Sequence, residues 1–381
     1  MELHFSARLT DLQASPIRQI LAVLNRPNMI SFAGGLPAAE CFPTFDLKVE
    51  PVLLQYGPTE GEAALRDYLS QKLVGLGLPV NPDQLVILSG SQQGIDLVAK
   101  LFIDKGTCVA LESPTYLAAL QVFRFFGARF APFAPGDAGN GNPFKERPAF
   151  AYVIPTFQNP TGYCYLGPER EALARACDQE RIPVFEDDPY RDLAYDSCER
   201  RPVCASLKES PWIYQGSFSK TLAPGLRLGF LAASPVLVPY LVRLKQAADL
   251  HSNRLGQWLV LDALKHPDRD ARLGVVVETY RRKRDAFDHA LHEYFSDLAD
   301  WERPRGGLFF WLRLKVPIDT RALLDSALMS GVAFMPGEPF YATDSQIPRG
   351  RLRLAFSHAS EAEASRGLKI LSELVRRSLS G

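Results

Sequence analysis

Between residues 85 and 232, short apolar runs alternate with amphipathic stretches. The runs are LVIL at 85–88, TCVALE at 107–112, FAYVIP at 150–155, IPVFED at 182–187, WIYQGS at 212–217 and RLGFLA at 227–232. Each is rich in β-forming residues and almost unbroken by polar ones, the pattern of strands buried on both faces. Intervening segments such as 168–180 have helical spacing instead. The alternation predicts an α/β fold, with helices on both sides of a mostly parallel sheet. From about 236 the pattern lengthens, and 238–264 reads as one or two helices. A long helical segment, GVVVETYRRKRDAFDHALHEYF, leads into a compact α/β tail: RGGLFFWLRL, a helix near 319–330, GVAFMPGEPF, GRLRLAFS and a last helix. We therefore expect a large domain over 41–265 and a smaller C-terminal domain over 266–381. Residues 1–40 are too short for a domain and are expected to form an arm against the small domain and a partner subunit.

The chain has 381 residues, 46% of them hydrophobic, which is enough to fill both cores. Its 43 basic residues balance 43 acidic ones, so the overall charge gives no reason to expect a nucleic acid or an anionic membrane as partner. A small-molecule partner is favoured. Cys41, Cys108, Cys164, Cys177, Cys198 and Cys204 include no CxxC pair and no cluster at zinc spacing. They read as free thiols in a reducing compartment. The N-terminus lacks the basic and apolar regions of a signal peptide, and no apolar run approaches the ~18 residues of a membrane span, so a cytoplasmic protein is expected.

Ligands of such sheets gather at the carboxyl ends of the strands. LVIL is followed by Ser89-Gly90-Ser91-Gln92-Gln93-Gly94, a turn opening into a helix. Free N–H groups at such a turn form an anion site, although the same turn also serves as an ordinary cap. FAYVIP is followed by the Asn159-Pro160-Thr161-Gly162 turn. IPVF runs into Glu186, Asp187 and Asp188 and then Tyr190. Buried carboxylates need partners, which a cationic ligand nitrogen would supply. No second acidic or histidine cluster accompanies them, so no metal is expected. WIYQ leads into Gly216-Ser217-Phe218-Ser219-Lys220, with Arg227 further on. A lysine in a Ser/Gly-rich turn after a buried strand is placed as an amine nucleophile held still, with hydroxyls and a guanidinium near enough for a phosphate. The chain lacks the GxxxxGK[ST] run of a P-loop.

The motifs SGSQQG, SPTY, QNPTG, EDDPY, GSFSKTLAPGLRLGF and GRLRLAFS stand in the order and at about the spacing found in class I aminotransferases, which the chain resembles over nearly its whole length. ASPIRQIL, SFAGGLP and YGPTEG bring it nearest to the subgroup holding the 2-aminoadipate aminotransferases. That subgroup is similar to the aminotransferase-like half of GntR-type transcription regulators. The sequence has no room for their N-terminal winged helix, and the regulator reading is set aside.

The resemblance implies the pyridoxal-phosphate-transferase fold of type I, with a seven-stranded, mostly parallel sheet in the large domain. It implies pyridoxal 5'-phosphate as cofactor, carried by Lys220 as a Schiff base, with Lys220 also moving the proton at the substrate Cα. Asp187 would keep the pyridine nitrogen protonated, Tyr190 and Asn159 would bond the phenolic oxygen, and Tyr116 would stack on the ring. Ser91, Gln92, Ser217, Ser219 and Arg227 would hold the phosphate, joined by Tyr56 from the neighbouring subunit of a homodimer with shared active sites. Arg353 would pair with the substrate α-carboxylate, near Asn159 and Gly35, and Arg18 would face the substrate side chain. Arg351 is read as lying on the opposite face of the same strand, as a solvated charge.

The implied activity is transfer of an α-amino group from an amino acid (2-aminoadipate, glutamate, branched or aromatic) to a 2-oxo acid such as 2-oxoglutarate, in two half-reactions. A β-lyase, decarboxylase or oxidase is the alternative, since the scaffold does not choose which Cα bond breaks. A non-catalytic sensor would not need the lysine.

Overall fold

A computed structural model describes residues 4–9, 28–45, 49–134, 144, 146–342 and 347–380. The large sheet contains β2 (Leu85–Leu88), β3 (Cys108–Glu112), β4 (Arg129–Phe133), β5 (Ala151–Val153), β6 (Val184–Asp187), β7 (Trp212–Ser217) and β8 (Gly229–Ala233). Their spatial order is β2-β8-β7-β6-β5-β3-β4. Only β8 runs against its neighbours; the other pairings are parallel. Six of the strands coincide with the apolar runs. In β2, Leu85 and Ile87 join the core on one side, while Val86 and Leu88 join the core on the other. Burial on both faces thus explains the unbroken run, each such side chain contributing roughly 1.5–3 kcal/mol. The run pattern does not announce β4. It is an edge strand whose side chains are mostly not buried, and it contains Pro132, which an edge position tolerates.

The stretch 238–264 is two helices, Val238–Asp249 and Arg254–Lys265. The second begins where the Asn253 side chain accepts the Gly256 N–H at 2.7 Å, an N-cap. After the long helix Arg269–Phe295, a four-stranded antiparallel sheet is built from β9 (Ala299–Asp300), β10 (Phe309–Leu314), β12 (Met335–Pro336) and β13 (Arg351–Ala355), in the order β12-β13-β10-β9. Helices Arg269–Phe295 and Glu361–Ser380 cover it with Phe287, Leu291, Leu368 and Leu371. The chain before the large sheet is tied to this unit: β1 (Ile30–Ser31) pairs in parallel with β11 (Val332–Ala333), and the Ala355 N–H donates to the Phe32 carbonyl at 2.8 Å. No described helix is long and apolar enough to cross a membrane.

Candidate active site

The carboxyl ends of β6 and β7 and the turn after β5 converge on Lys220. Its half-buried Nζ donates to the Gly35 carbonyl at 2.8 Å and lies 5.9 Å from the centre of the Tyr190 ring. Burial, aided by the charges of Arg353 and Arg227, pulls its ammonium down to about 8. It forms no ion pair among the described residues.

Asp187 ends β6 and is buried. Its Oδ2 accepts from the Tyr152 hydroxyl and its Oδ1 from Gln215 Nε2, both at 2.9 Å. Burial pushes its carboxyl up to about 6 against the pull of those two donors. Neighbouring Asp188 points elsewhere: its Oδ2 accepts from Arg191 Nε at 2.5 Å and from the Tyr214 hydroxyl at 2.9 Å. Of the two, only Asp187 therefore lacks a cation.

Arg353 is buried in β13, with Nη1 donating to Asn159 Oδ1 at 2.8 Å and Nη2 to the Ala33 carbonyl. Its guanidinium lies over Phe309 at 4.3 Å and Phe340 at 5.0 Å, and its Nε has no partner. Burial lowers it to about 10, so it stays charged at neutral pH. Tyr190 meets Asn159 through its hydroxyl, and its ring meets Phe309 edge-on at 5.7 Å. Burial first, then Asp187, raises Tyr116 to about 12. Lys220, Asp187, Tyr190, Tyr116, Asn159 and Arg353 thus form one electrostatic cluster.

A second group lies at the start of helix Ser91–Phe102. Gly90 has φ +85°, and a Cβ there would stand 2.6 Å from Arg227 Nη2. One on Gly229 would stand 3.0 Å from the Ser91 nitrogen. The helix start, the guanidinium and β8 approach one another this closely because both positions are glycine. The Ser217 hydroxyl accepts the Ser219 N–H at 3.2 Å. Helix N–H groups, hydroxyls and a guanidinium are a donor set that fits a phosphate dianion, and the buried Asp187 without a cation fits a protonated ring nitrogen.

Several expected residues stand differently. Tyr56 is 75% exposed, edge-on to His251 at 5.8 Å, and makes no contact with the cluster of its own chain. Arg18 lies outside the described residues. Gly35 touches Lys220 through its carbonyl, and a side chain there would run into the Phe309 ring at 2.6 Å. The opposite-face reading of Arg351 is wrong, because residues two apart in a strand share a face. What separates the two arginines is position: Arg351 begins β13, pairing with Arg313, and Arg353 sits mid-strand against Trp311.

Three supporting groups escape the sequence reading. Tyr152 looks like any core residue of an apolar run. Gln215 is the direct register partner of Asp187, a signal that needs the sheet order first. Gly94 makes room for it, since a Cβ there would fall 1.8 Å from Gln215 Oε1. Behind the Ser89–Gly94 turn, the fully buried Lys245 Nζ bonds Gln93, Asp249 and Ser252 at 2.8 to 3.0 Å, and the Ser89 hydroxyl donates to Asp249 at 2.7 Å.

The family model for aminotransferase class I and II matches residues 46–371. A 2-aminoadipate transaminase from Thermus thermophilus is 38% identical over 383 residues, covering 96% of this chain and 94% of that protein. Among solved structures, an α-aminoadipate aminotransferase of Thermus thermophilus, complexed with N-(5'-phosphopyridoxyl)-L-leucine, superimposes with a TM-score of 0.87 at 36% identity, covering 99% of this chain and 98% of that one. A Pyrococcus horikoshii kynurenine aminotransferase, solved with PMP, kynurenine and its product, gives 0.89 at 32% identity, covering 99% and 98%. The chain belongs to the class I and II aminotransferases, pyridoxal-phosphate-dependent enzymes of fold type I.

Proposed function

We propose that this enzyme exchanges the amino group of acidic, branched or aromatic amino acids with 2-oxoglutarate or a related 2-oxo acid in two half-reactions, using Lys220 as the proton-transfer amine. The observation that carries this reading is Lys220 itself: a half-buried amine, lowered to about 8, beside both Tyr190 and the carboxylate-binding candidate Arg353. The names of the relatives, which span 2-aminoadipate and kynurenine, support the donor classes.

Bound pyridoxal phosphate would supply an electron sink for the pair left when the Cα–H bond breaks. Lys220 Nζ takes the Cα proton and returns it in the reverse sense, as general base and acid. With the cofactor bound, Asp187 would keep the pyridine nitrogen protonated, Asn159 and Tyr190 would hold the phenolic oxygen, and Tyr116 would support the ring. Ser91, Gln92, Ser217, Ser219 and Arg227 would hold its phosphate. Arg353 orients the substrate through its α-carboxylate, with its fork preset over Phe309 and Phe340.

A panel of amino donors against 2-oxoglutarate tests the reaction. Addition of an amino acid should bleach the cofactor absorbance and 2-oxoglutarate should restore it. Release of ammonia without that recovery would instead mark a lyase. Arg353→Lys should raise KM for all donors alike, by about ten- to a hundredfold, because one point charge replaces a fork on a group common to every substrate. A loss confined to one donor class would contradict the role. Arg18→Ala should cost roughly 1.5–3 kcal/mol in kcat/KM for glutamate and 2-aminoadipate, with little loss for leucine. Equal losses would remove the case for an acidic side-chain pocket.

The exposed apolar run Val49, Val52, Leu54 and Tyr56 supports a homodimer in which Tyr56 reaches the partner's phosphate site. Mixing inactive Lys220→Ala and Tyr56→Ala proteins should restore activity through hybrid dimers carrying one intact site. No recovery after subunit exchange would place Tyr56 elsewhere.

A further inference from the structure

The two cysteines Cys164 and Cys198 lie on separate loops that meet: the Cys164 S–H donates to the carbonyl of Glu199, the residue after Cys198, at 3.4 Å, and the two thiols are near enough to perturb each other. Both are partly exposed, whereas Cys108, Cys177 and Cys204 are buried. Arg170 Nη2 also donates to the Cys164 sulfur at 3.7 Å. Arg170 is the unusual element. It is buried, and its other acceptors are uncharged: the carbonyls of Tyr165, Arg201 and Pro155 and the hydroxyl of Thr156. It forms no ion pair among the described residues. Glu186 and Glu199 lie in the field of this guanidinium, but neither touches it, so it favours negative charge on the polarisable group it does touch, the Cys164 sulfur. The neighbouring Cys198 thiol, with the field of Arg170, pulls the Cys164 thiol down to about 6 against the opposing effect of burial, and the same contact pushes Cys198 up.

We propose that Cys164 and Cys198 form a redox modification site, in which Cys164 is the peroxide-reactive thiolate and Cys198 the thiol that resolves it into an intramolecular disulfide. The thiolate sulfur attacks one oxygen of hydrogen peroxide, the O–O bond breaks, and the leaving hydroxide takes a proton to become water. Cys198 then gives up its proton and attacks the oxidised sulfur, the S–O bond breaks, and a second water leaves. Two thiols lose two electrons in total and one peroxide becomes two waters. The thiol contact leaves little backbone movement for closing the S–S bond.

The placement gives the bond a consequence. Cys164 follows the turn that carries Asn159, and Gly162 in that turn, at φ +70°, packs against the backbone of Phe309. Cys198 follows Tyr195 and Asp196, which hold the small domain through the Gly307 carbonyl at 2.5 Å and through Arg284. The disulfide fastens the Asn159 turn to the loop that grips the small domain. This inference is independent of the substrate reading, because its test is chemical.

Holoenzyme treated with hydrogen peroxide, digested without reductant and analysed by mass spectrometry should yield a peptide pair linked through Cys164 and Cys198. The pair should be lighter by two hydrogens and separated by dithiothreitol. In Cys198→Ser protein, dimedone should trap a sulfenic acid on Cys164, while Cys164→Ser protein should give no matching adduct on Cys198. At neutral pH, iodoacetamide should label Cys164 roughly fivefold faster than Cys41, whose thiol burial pushes up, the larger thiolate population outweighing the weaker nucleophilicity. A link to any other cysteine, a bond between two copies of the chain, or Cys164 reacting no faster than Cys41 would overturn the proposal. The wild-type peptide map decides the matter even if neither variant folds.

Discussion

Replacing Lys220 with alanine is expected to lower kcat by at least ~10³-fold while the protein still binds pyridoxal phosphate. The size follows from what is lost: general acid–base assistance alone is worth about 10²- to 10⁴-fold, and in the proposed reaction Lys220 serves both directions of proton transfer. Retained binding follows from geometry. The approach of Arg227 to Gly90 at the helix start, the Ser217 hydroxyl and the buried Asp187 do not depend on the lysine, whose only polar contact among the described residues is the Gly35 carbonyl. Removing a half-buried amine that forms no ion pair among the described residues leaves no buried charge stranded, so the melting temperature should change little. Kinetics with glutamate, a cofactor titration and a melting curve on one variant test all three parts. Turnover at the wild-type rate would exclude Lys220 as the working amine.

How much of this can be read from the chain depends on where each residue stands in the sheet. The strand-end motifs are legible because parallel strands buried on both faces leave unbroken apolar runs, and Lys220 and Asp187 sit at the ends of two of them. The edge strand Arg129–Phe133 is not, since a half-solvated strand with a proline carries neither an apolar run nor clean alternation. Tyr152 and Gln215 escape for a different reason. Their function is to hold Asp187 from neighbouring strands, and nothing in FAYVIP or WIYQGS reveals it until the order β5-β6-β7 is known. Arg353 is found through its motif, but strand alternation, which cannot distinguish residues two apart, does not separate it from Arg351. Tyr56 shows the limit of a single chain, since the role proposed for its exposed ring needs a second subunit.

The adjacent acids Asp187 and Asp188 should respond to alanine in opposite ways. Asp187→Ala is expected to reduce kcat by about 10²- to 10⁴-fold, since loss of a carboxylate beside a buried ring cation costs several kcal/mol and each ~1.4 kcal/mol is tenfold in rate. Its melting temperature should fall little, because the partners it leaves, the Tyr152 hydroxyl and the Gln215 amide, are neutral. Asp188→Ala removes the carboxylate that Arg191 holds at 2.5 Å while that guanidinium remains buried, and stranding such a charge costs roughly 3–5 kcal/mol of stability. That variant should melt several degrees lower yet keep most of its turnover at low temperature. Asp187→Asn separates charge from shape. The amide fits the same space, Tyr152 can still donate to its oxygen, and Gln215, whose Oε1 has no partner, can turn to accept from its nitrogen. The asparagine variant should therefore melt like wild type and be as slow as the alanine one. If Asp188→Ala proved the slow, stable variant and Asp187→Ala the unstable, active one, the carboxylate that serves the cofactor would be Asp188, and the Tyr152–Asp187–Gln215 contacts would be a structural brace.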